Sequence, residues 1–264
     1  MACAKLKLTM DSRRNHFLEV WRGFSESFRR KGVQMKRIII SALIIPSIAL
    51  ASNDTIFEVY DEYYATLPGK LFQGKVIELP MVGDGVLSYG WNGTVDGHRH
   101  KVVVRQMDND DLLLIDNHKI DPKKIKIFPG ESEYYQTIDL AGSARSPVVY
   151  FASGWACVQS PEPGLAIIHV PVYLIRLQKE YKHKMKVWAL PSLHGSCQQI
   201  RMQSGHIMFD KVEYRYRKGQ DEPIGVSFNE YTIREGKFNR TNKPPQNATF
   251  VDPCDVFRFT LDKP

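Results

Sequence analysis

The sequence predicts a mainly β protein, built as an antiparallel sandwich or as barrel-like sheets with few short helices. Three observations predict this class. Short runs rich in β-branched and aromatic residues recur between residues 72 and 261. Gly, Pro, Asn and Asp bound these runs, as is typical of strands joined by turns. No segment of 52–264 carries a strong apolar stripe at helical spacing.

The sequence predicts the positions of the helices and strands along the chain. Short helices are predicted within 53–67 and 131–140. Strands are predicted at 72–79, 101–106, 111–115, 123–128, 147–152, 165–177, 184–189, 206–217, 224–233 and 255–261. In the 206–217 run, Val212, Tyr214 and Tyr216 alternate with charged residues. A period of two places one face of a strand on a core, so 206–217 and 224–233 are predicted to form an antiparallel hairpin.

The predicted domain organisation rests on residues 141–147, a segment of small and polar residues. It predicts a boundary between an N-terminal β-rich unit, 52–142, and a C-terminal β-rich domain, 147–264. A single larger β domain is the alternative, because all-β domains often exceed about 200 residues.

Charge is divided unevenly along the chain. The 264 residues carry a formal net charge of +7, yet 52–264 contains 26 basic and 26 acidic residues. The excess therefore belongs to residues 1–51. Nucleic-acid binding needs a basic face on the folded domain, so this balance argues against a nucleic-acid partner.

A secretory signal is predicted at 35–51. Met35 opens a short basic segment, thirteen mostly apolar residues follow at 38–50, and Ala49 and Ala51 form an A-x-A cleavage site. The alternative is a membrane anchor, but thirteen residues span only about 20 Å as a helix, less than a bilayer core. We expect cleavage after Ala51, a periplasmic or secreted product and no stable membrane insertion afterwards.

Residues 1–34 precede the predicted signal, which belongs at an N-terminus. They are interpreted as a non-native or disordered extension, with translation starting at Met35. The alternative is a genuine extension that contains an amphipathic helix.

Export predicts that cysteines form disulfides. The body contains Cys157, Cys197 and Cys254. Turn residues flank Cys197 and Cys254, which favours a bond between these two, with Cys157 as the alternative partner.

Asp96, His98 and His100 recur at a spacing of two residues. On a strand all three would face one side, within reach of one transition metal. The alternative is a hairpin turn at Asp96-Gly97, with both histidines as solvent-facing residues of the strand that follows.

Motifs for catalysis or for a cofactor are absent: the chain has no G-x-S-x-G, H-E-x-x-H, C-x-x-C or P-loop sequence. His194 and Cys197 are spaced for a nucleophilic pair, but a disulfide at Cys197 suits an oxidising compartment better. No catalytic residue and no cofactor are therefore predicted.

The expected function is that of an exported, periplasmic binding protein without enzymatic activity. An inhibitor or a toxin-immunity type of protein, acting through a protein–protein interface, fits best, because the body is rich in Tyr and Trp. The alternatives are an envelope hydrolase or metal-dependent enzyme without a recognisable motif, and a structural or assembly component of the envelope.

Overall fold

The computed structural model describes residues 55–82, 88–106, 112–132, 135, 146–160, 169–177 and 185–263. Residues 52–264 form one compact unit. No helix within the described ranges is long and apolar enough to cross a membrane.

The described chain is mainly β and antiparallel, as predicted. Its strands are β1 (Ile56–Phe57), β2 (Ile77–Glu78), β3 (Ser88–Val95), β4 (His98–Arg105), β5 (Leu112–Ile115), β6 (His118–Lys119), β7 (Lys126–Ile127), β8 (Val148–Ala152), β9 (Trp155–Gln159), β10 (Val172–Arg176), β11 (Lys186–Ala189), β12 (Arg201–Gln203), β13 (His206–Tyr216), β14 (Pro223–Arg234), β15 (Lys237–Arg240), β16 (Gln246–Asp252) and β17 (Asp255–Leu261). The helix α1 covers Tyr60–Thr66, and 3-10 turns cover Pro122–Lys124 and Cys197–Gln199.

The strands form three sheets. The four-stranded sheet has the order β3-β4-β5-β6, and the six-stranded sheet has the order β2-β8-β9-β10-β11-β7. The seven-stranded sheet has the order β1-β17-β16-β14-β13-β12, with β15 on β14. Neighbouring strands are antiparallel except β7 and β11, which are parallel.

The six-stranded sheet is the central layer, because both of its faces are buried. Alternate residues of β9 point to opposite sides: Val158 packs in a core shared with the four-stranded sheet, and Cys157 packs in a core shared with the seven-stranded sheet. Both side chains are fully buried. A strand covered on both faces is apolar along its whole length, which explains why β9 and β10 lack a polar face.

A third core lies between the seven-stranded sheet and the segment 56–67. Tyr60, Tyr63 and Tyr64 of α1 pack with Phe228 and Phe259. The Tyr63 and Phe228 rings are only 4.2 Å apart between centroids. This aromatic packing holds a helix of seven residues that would be too short to persist alone.

The predicted hairpin is confirmed. β13 and β14 pair antiparallel, with Val212 opposite Phe228 and Tyr214 opposite Val226. Val212 is buried and Glu213 is exposed, so the period of two seen in the sequence is the alternation between core and solvent.

Other boundaries differ from the predictions. The predicted strand 123–128 opens with a 3-10 turn, because the Asp121 side chain accepts a hydrogen bond from the Lys123 N–H and Pro122 favours a helical start. β1, β3, β6, β9, β12, β15 and β16 were not predicted, and β1 lies in the segment 53–67 that was predicted to hold a helix. The helix predicted at 131–140 falls mostly outside the described residues.

The predicted boundary between 142 and 147 does not separate two cores. Val102 and Leu113 precede it, Val149 and Val158 follow it, and all four are buried in the same core. Residues on both sides of the predicted boundary therefore share one core, and the division of the body into two units stays a prediction.

Candidate functional site

The three predicted metal ligands lie on and beside the β3–β4 hairpin. Asp96 occupies its turn at φ +51°, and Asp96 and His98 are exposed. His100 stacks on Phe151 with ring centroids 4.4 Å apart, and its Nδ1 lies 3.0 Å from Asp116 Oδ2. Among the described residues, no group of three or more His, Cys, Asp or Glu could hold a metal ion. The structure therefore does not bring the three together as a ligand set.

The cysteine pairing differs from the favoured prediction. Cys197 is bonded to Cys157, the alternative partner, and not to Cys254. The Cα atoms of the bonded pair are 5.9 Å apart, a separation that a disulfide needs. Cys254 instead lies in the exposed turn between β16 and β17. Because the Cys197 sulfur is in a disulfide, it is not available as the thiolate of a His194–Cys197 pair.

His194 is part of the aromatic core. Its ring stacks on Tyr60 with centroids 3.8 Å apart, and its Nε2 lies 3.0 Å from the Tyr214 hydroxyl. Burial lowers the pKa of His194 to about 3, with a smaller contribution from His169. The side chain therefore stays neutral at physiological pH, which suits packing rather than proton transfer.

Ser192 has a buried hydroxyl group with two side-chain partners. Its Oγ donates a hydrogen bond to Glu131 Oε2 at 2.6 Å and lies 2.8 Å from His169 Nδ1. The Ser192 N–H donates to the same Glu131 oxygen at 3.1 Å. Ser192 is fully buried, and its proton is directed at a carboxylate that also caps the backbone. The arrangement holds the turn at 192–195 in place and does not present a nucleophile.

A buried ionic cluster joins β12 to the β13–β14 hairpin. Arg201 Nη2 lies 2.9 Å from Asp210 Oδ1 and 3.3 Å from Glu230 Oε2, and Arg201 is only 2% exposed. Burial raises the pKa of Asp210, against the opposing effect of Arg201. The cluster positions an edge strand, and exposed Lys243 lies 3.5 Å from Glu230 at its outer side.

A cavity of about 320 Å³ lies beside the β5–β6 turn. Its lining includes His118, Lys119 and Lys124 together with Asp121. Lys124 and Asp121 form an ion pair, and this pair lowers the pKa of Asp121. The carboxylate thus already neutralises one of the cations that an anionic ligand would need.

The outer face of the four-stranded sheet exposes a group of cations. Its inward residues, Val102, Val104, Leu113 and Ile115, are fully buried. The alternate residues of the same strands face solvent and include four exposed cations: Arg99, Lys101, Arg105 and Lys119. These four residues define the cationic face.

The strands of the cationic face contain no acidic residue. β3, β4, β5 and β6 together hold four Lys or Arg and no Asp or Glu. Among the described residues, the neighbouring carboxylates are in turns: Asp96 is exposed in the β3–β4 turn, and Asp116 accepts the Lys101 N–H at 2.9 Å. Asp108, Asp110 and Asp111, between β4 and β5, lie outside the described residues. Arg99 Nε donates to Asn92 Oδ1, a neutral partner. Half-buried Val103 and Leu114 lie opposite each other on the same face.

This face was not predicted from the sequence. On β4 the cations Arg99, Lys101 and Arg105 are two and four residues apart, and β6 adds Lys119, so they form no run that a scan for charged tracts would find. A count of charge per predicted strand would have indicated it.

Comparison of the chain with protein-family models, with curated proteins and with solved structures finds no match.

Proposed function

We propose that this chain is an exported, non-enzymatic binding protein that engages an acidic protein partner through the cationic face. One observation carries the proposal: the four strands of that sheet expose four cations and contain no carboxylate of their own. Complementary potentials steer association and select partners, and half-buried aliphatic groups between the charges provide apolar contact area.

Two features support an exported location. The segment 35–51 has the basic, apolar and small-residue order of a secretory signal. The Cys157–Cys197 disulfide is of the kind that persists in oxidising compartments. A periplasmic or secreted site of action is proposed on these grounds.

Binding is favoured over catalysis by the roles of the reactive groups. Ser192 hydrogen-bonds to Glu131, His194 is stacked in an aromatic core, and Cys197 is in a disulfide. Each of these contacts is structural. An inhibitor or toxin-immunity type of protein, which masks an acidic surface of its target, is the form of binding that we propose.

The experiment compares two charge-reversed variants of the full chain, each with a C-terminal affinity tag. The test variant carries Arg99→Glu, Lys101→Glu and Arg105→Glu. The control reverses three other exposed cations, Arg217, Lys218 and Lys237, so its net charge changes equally. Each protein is expressed in the organism that encodes it and captured after nuclease treatment at about 50 mM salt.

We expect one acidic protein to co-purify with the wild type and the control, to be lost from the test variant, and to dissociate at about 300 mM salt. Equal capture by both variants would contradict the proposal. Capture of nucleic acid instead, removed by the nuclease, would also overturn it, as would a wild-type chain that recovers no partner.

A further inference from the structure

Within the part of the chain that the structure describes, the edge of the four-stranded sheet is open at β3. This strand ends the sheet order and has eight residues. The other terminal strands in the described part of the three sheets have two to four residues. Natural proteins shorten edge strands because unpaired backbone groups invite another strand to pair. β3 is an exception to that tendency.

Only the first part of the β3 edge is covered by its own chain. The Gly90 N–H donates to the Pro80 carbonyl at 2.9 Å, and the Val82 N–H donates to the Ser88 carbonyl at 2.7 Å. These two bonds show that even-numbered residues of β3 direct their backbone groups away from β4. By the same alternation, the N–H and C=O groups of Asn92 and Thr94 point outward. No described segment pairs with them.

β3 lacks the features that usually protect an edge. It contains no charged residue and no proline. Its pairing with β4 runs in continuous register from Ser88–Arg105 to Val95–His98, without a bulge. Lysine, proline and bulges are the common means of discouraging pairing at an edge, so this edge is free to accept a strand.

We propose that β3 binds a strand of the partner protein, which adds antiparallel to residues 91–95 and extends the four-stranded sheet. This inference rests on the proposed function and specifies how the partner is bound. In such β-augmentation, backbone hydrogen bonds provide affinity and alternate side chains provide specificity.

The two faces of the sheet define the chemistry of the added strand. Side chains opposite Asn92 and Thr94 lie on the cationic face, two strand spacings from Arg99 and Lys101 on β4, so acidic residues are favoured there. The other face presents Trp91, which is half-buried, packs against Phe151 and lies across Gly93. Apolar residues are favoured on that side. The partner strand therefore alternates acidic and apolar residues.

A second copy of this chain is a poorer occupant. Pairing β3 with β3 would place two cationic faces side by side, and like charges at an interface are unfavourable. A partner strand with carboxylates has the opposite sign.

The test uses a synthetic peptide, Glu-Val-Glu-Val-Glu-Val-Glu with blocked ends, and the full chain. In an antiparallel addition the glutamates lie opposite Asn92 and Thr94, so their N–H groups are the ones that bond to β3. A version N-methylated at every glutamate loses these donors, and a version N-methylated at every valine keeps them. All three peptides carry the same charge.

On the protein, Thr94→Pro removes an outward N–H without breaking a bond to β4, whereas Thr94→Val retains it. We expect the unmodified and valine-methylated peptides to bind the wild type and Thr94→Val alike. Glutamate methylation or Thr94→Pro should weaken binding by about tenfold or more. Unfolding curves of the variants verify that the fold is retained.

The inference would be overturned by no binding of the unmodified peptide up to about 1 mM, or by equal binding of the glutamate-methylated and valine-methylated peptides. If charge reversal on the cationic face abolishes binding while methylation and Thr94→Pro do not, the cationic face stands as the binding surface and strand addition is wrong. Concentration-dependent dimers of the wild type that Thr94→Pro disrupts would assign the edge to a second copy and would also overturn it.

Discussion

Acidification is expected to destabilise this protein through His194. The side chain is 5% exposed, and burial lowers its pKa to about 3, whereas an ordinary histidine titrates near 6.5. The unfolded chain therefore binds a proton at a pH where the folded chain does not. The stability contributed by the neutral ring is complete above about pH 6.5 and is lost as the pH falls toward about 3.

The size of the effect follows from the difference between the two pKa values. At about pH 5 the unfolded state is already mostly protonated at this histidine and the folded state is not, which lowers the free energy of unfolding by about 2 kcal/mol. His194→Asn removes the titration, and asparagine tolerates the left-handed backbone that His194 adopts at φ +49°.

Urea unfolding of the wild type and of His194→Asn at about pH 7.5 and about pH 5 measures the effect. The variant is less stable at the higher pH, because it loses the stacking on Tyr60. The difference in the free energy of unfolding between the wild type and the variant should shrink by about 2 kcal/mol at the lower pH. Burial also raises the pKa of Asp210. Its titration changes the free energy of unfolding in the opposite direction as the pH falls, but by the same amount in both proteins. His98→Asn, at an exposed position, is the control. A deficit of His194→Asn that does not change with pH would refute the reasoning.

Three further predictions concern stability and can be checked by urea unfolding. Cys157→Ala removes a disulfide between residues 40 apart in sequence and should lower the free energy of unfolding by about 4 kcal/mol. A decrease of less than about 1 kcal/mol would contradict the disulfide's structural role. Gly225→Ala would place a Cβ 2.0 Å from the Ala248 carbonyl oxygen and should cost about 3 kcal/mol, whereas Gly219→Ala, in open space at φ +77°, should cost about 1 kcal/mol. Arg201→Met leaves two carboxylates without their buried cation and should cost about 3–5 kcal/mol, part of which Asp210→Asn in the same chain should restore; no recovery would argue against the ionic cluster.

Strands with a solvent-facing side were predictable from local sequence. In β13, Val212 and Tyr214 alternate with Glu213 and Arg215, because one face of the strand packs in a core and the other contacts water. The pairing partner β14 follows after a short connection, so neither the strands nor their order needed information from elsewhere in the chain.

Two of the missed strands, β9 and β3, were missed for physical reasons. β9 is covered on both faces, so its residues do not alternate between polar and apolar. β3 contains Gly90 and Gly93, which lower strand propensity in isolation. In the structure Gly93 is required, because a Cβ there would stand 2.2 Å from the Trp91 ring.

The candidate site was less predictable than the fold. The histidines at 98 and 100 were correctly placed on one strand, but the distance from His100 to Asp116 depends on how β4 pairs with β5. The cysteine pairing likewise depends on which strand and turn meet in the core between the six-stranded and seven-stranded sheets. The cationic face combines residues from β4 and β6 that are separated in sequence by up to twenty positions.

The sequence by itself determined that the chain is mainly β, that 206–217 and 224–233 form a hairpin, and that the body has no net charge. These properties depend on composition and on a local period of two. Only the tertiary structure decided that Cys197 bonds to Cys157, that the six-stranded sheet is buried on both sides, and that the cations of the four-stranded sheet share one face beside an open edge. Each of these depends on which strands become neighbours, and strand order is set by packing among residues far apart in the chain.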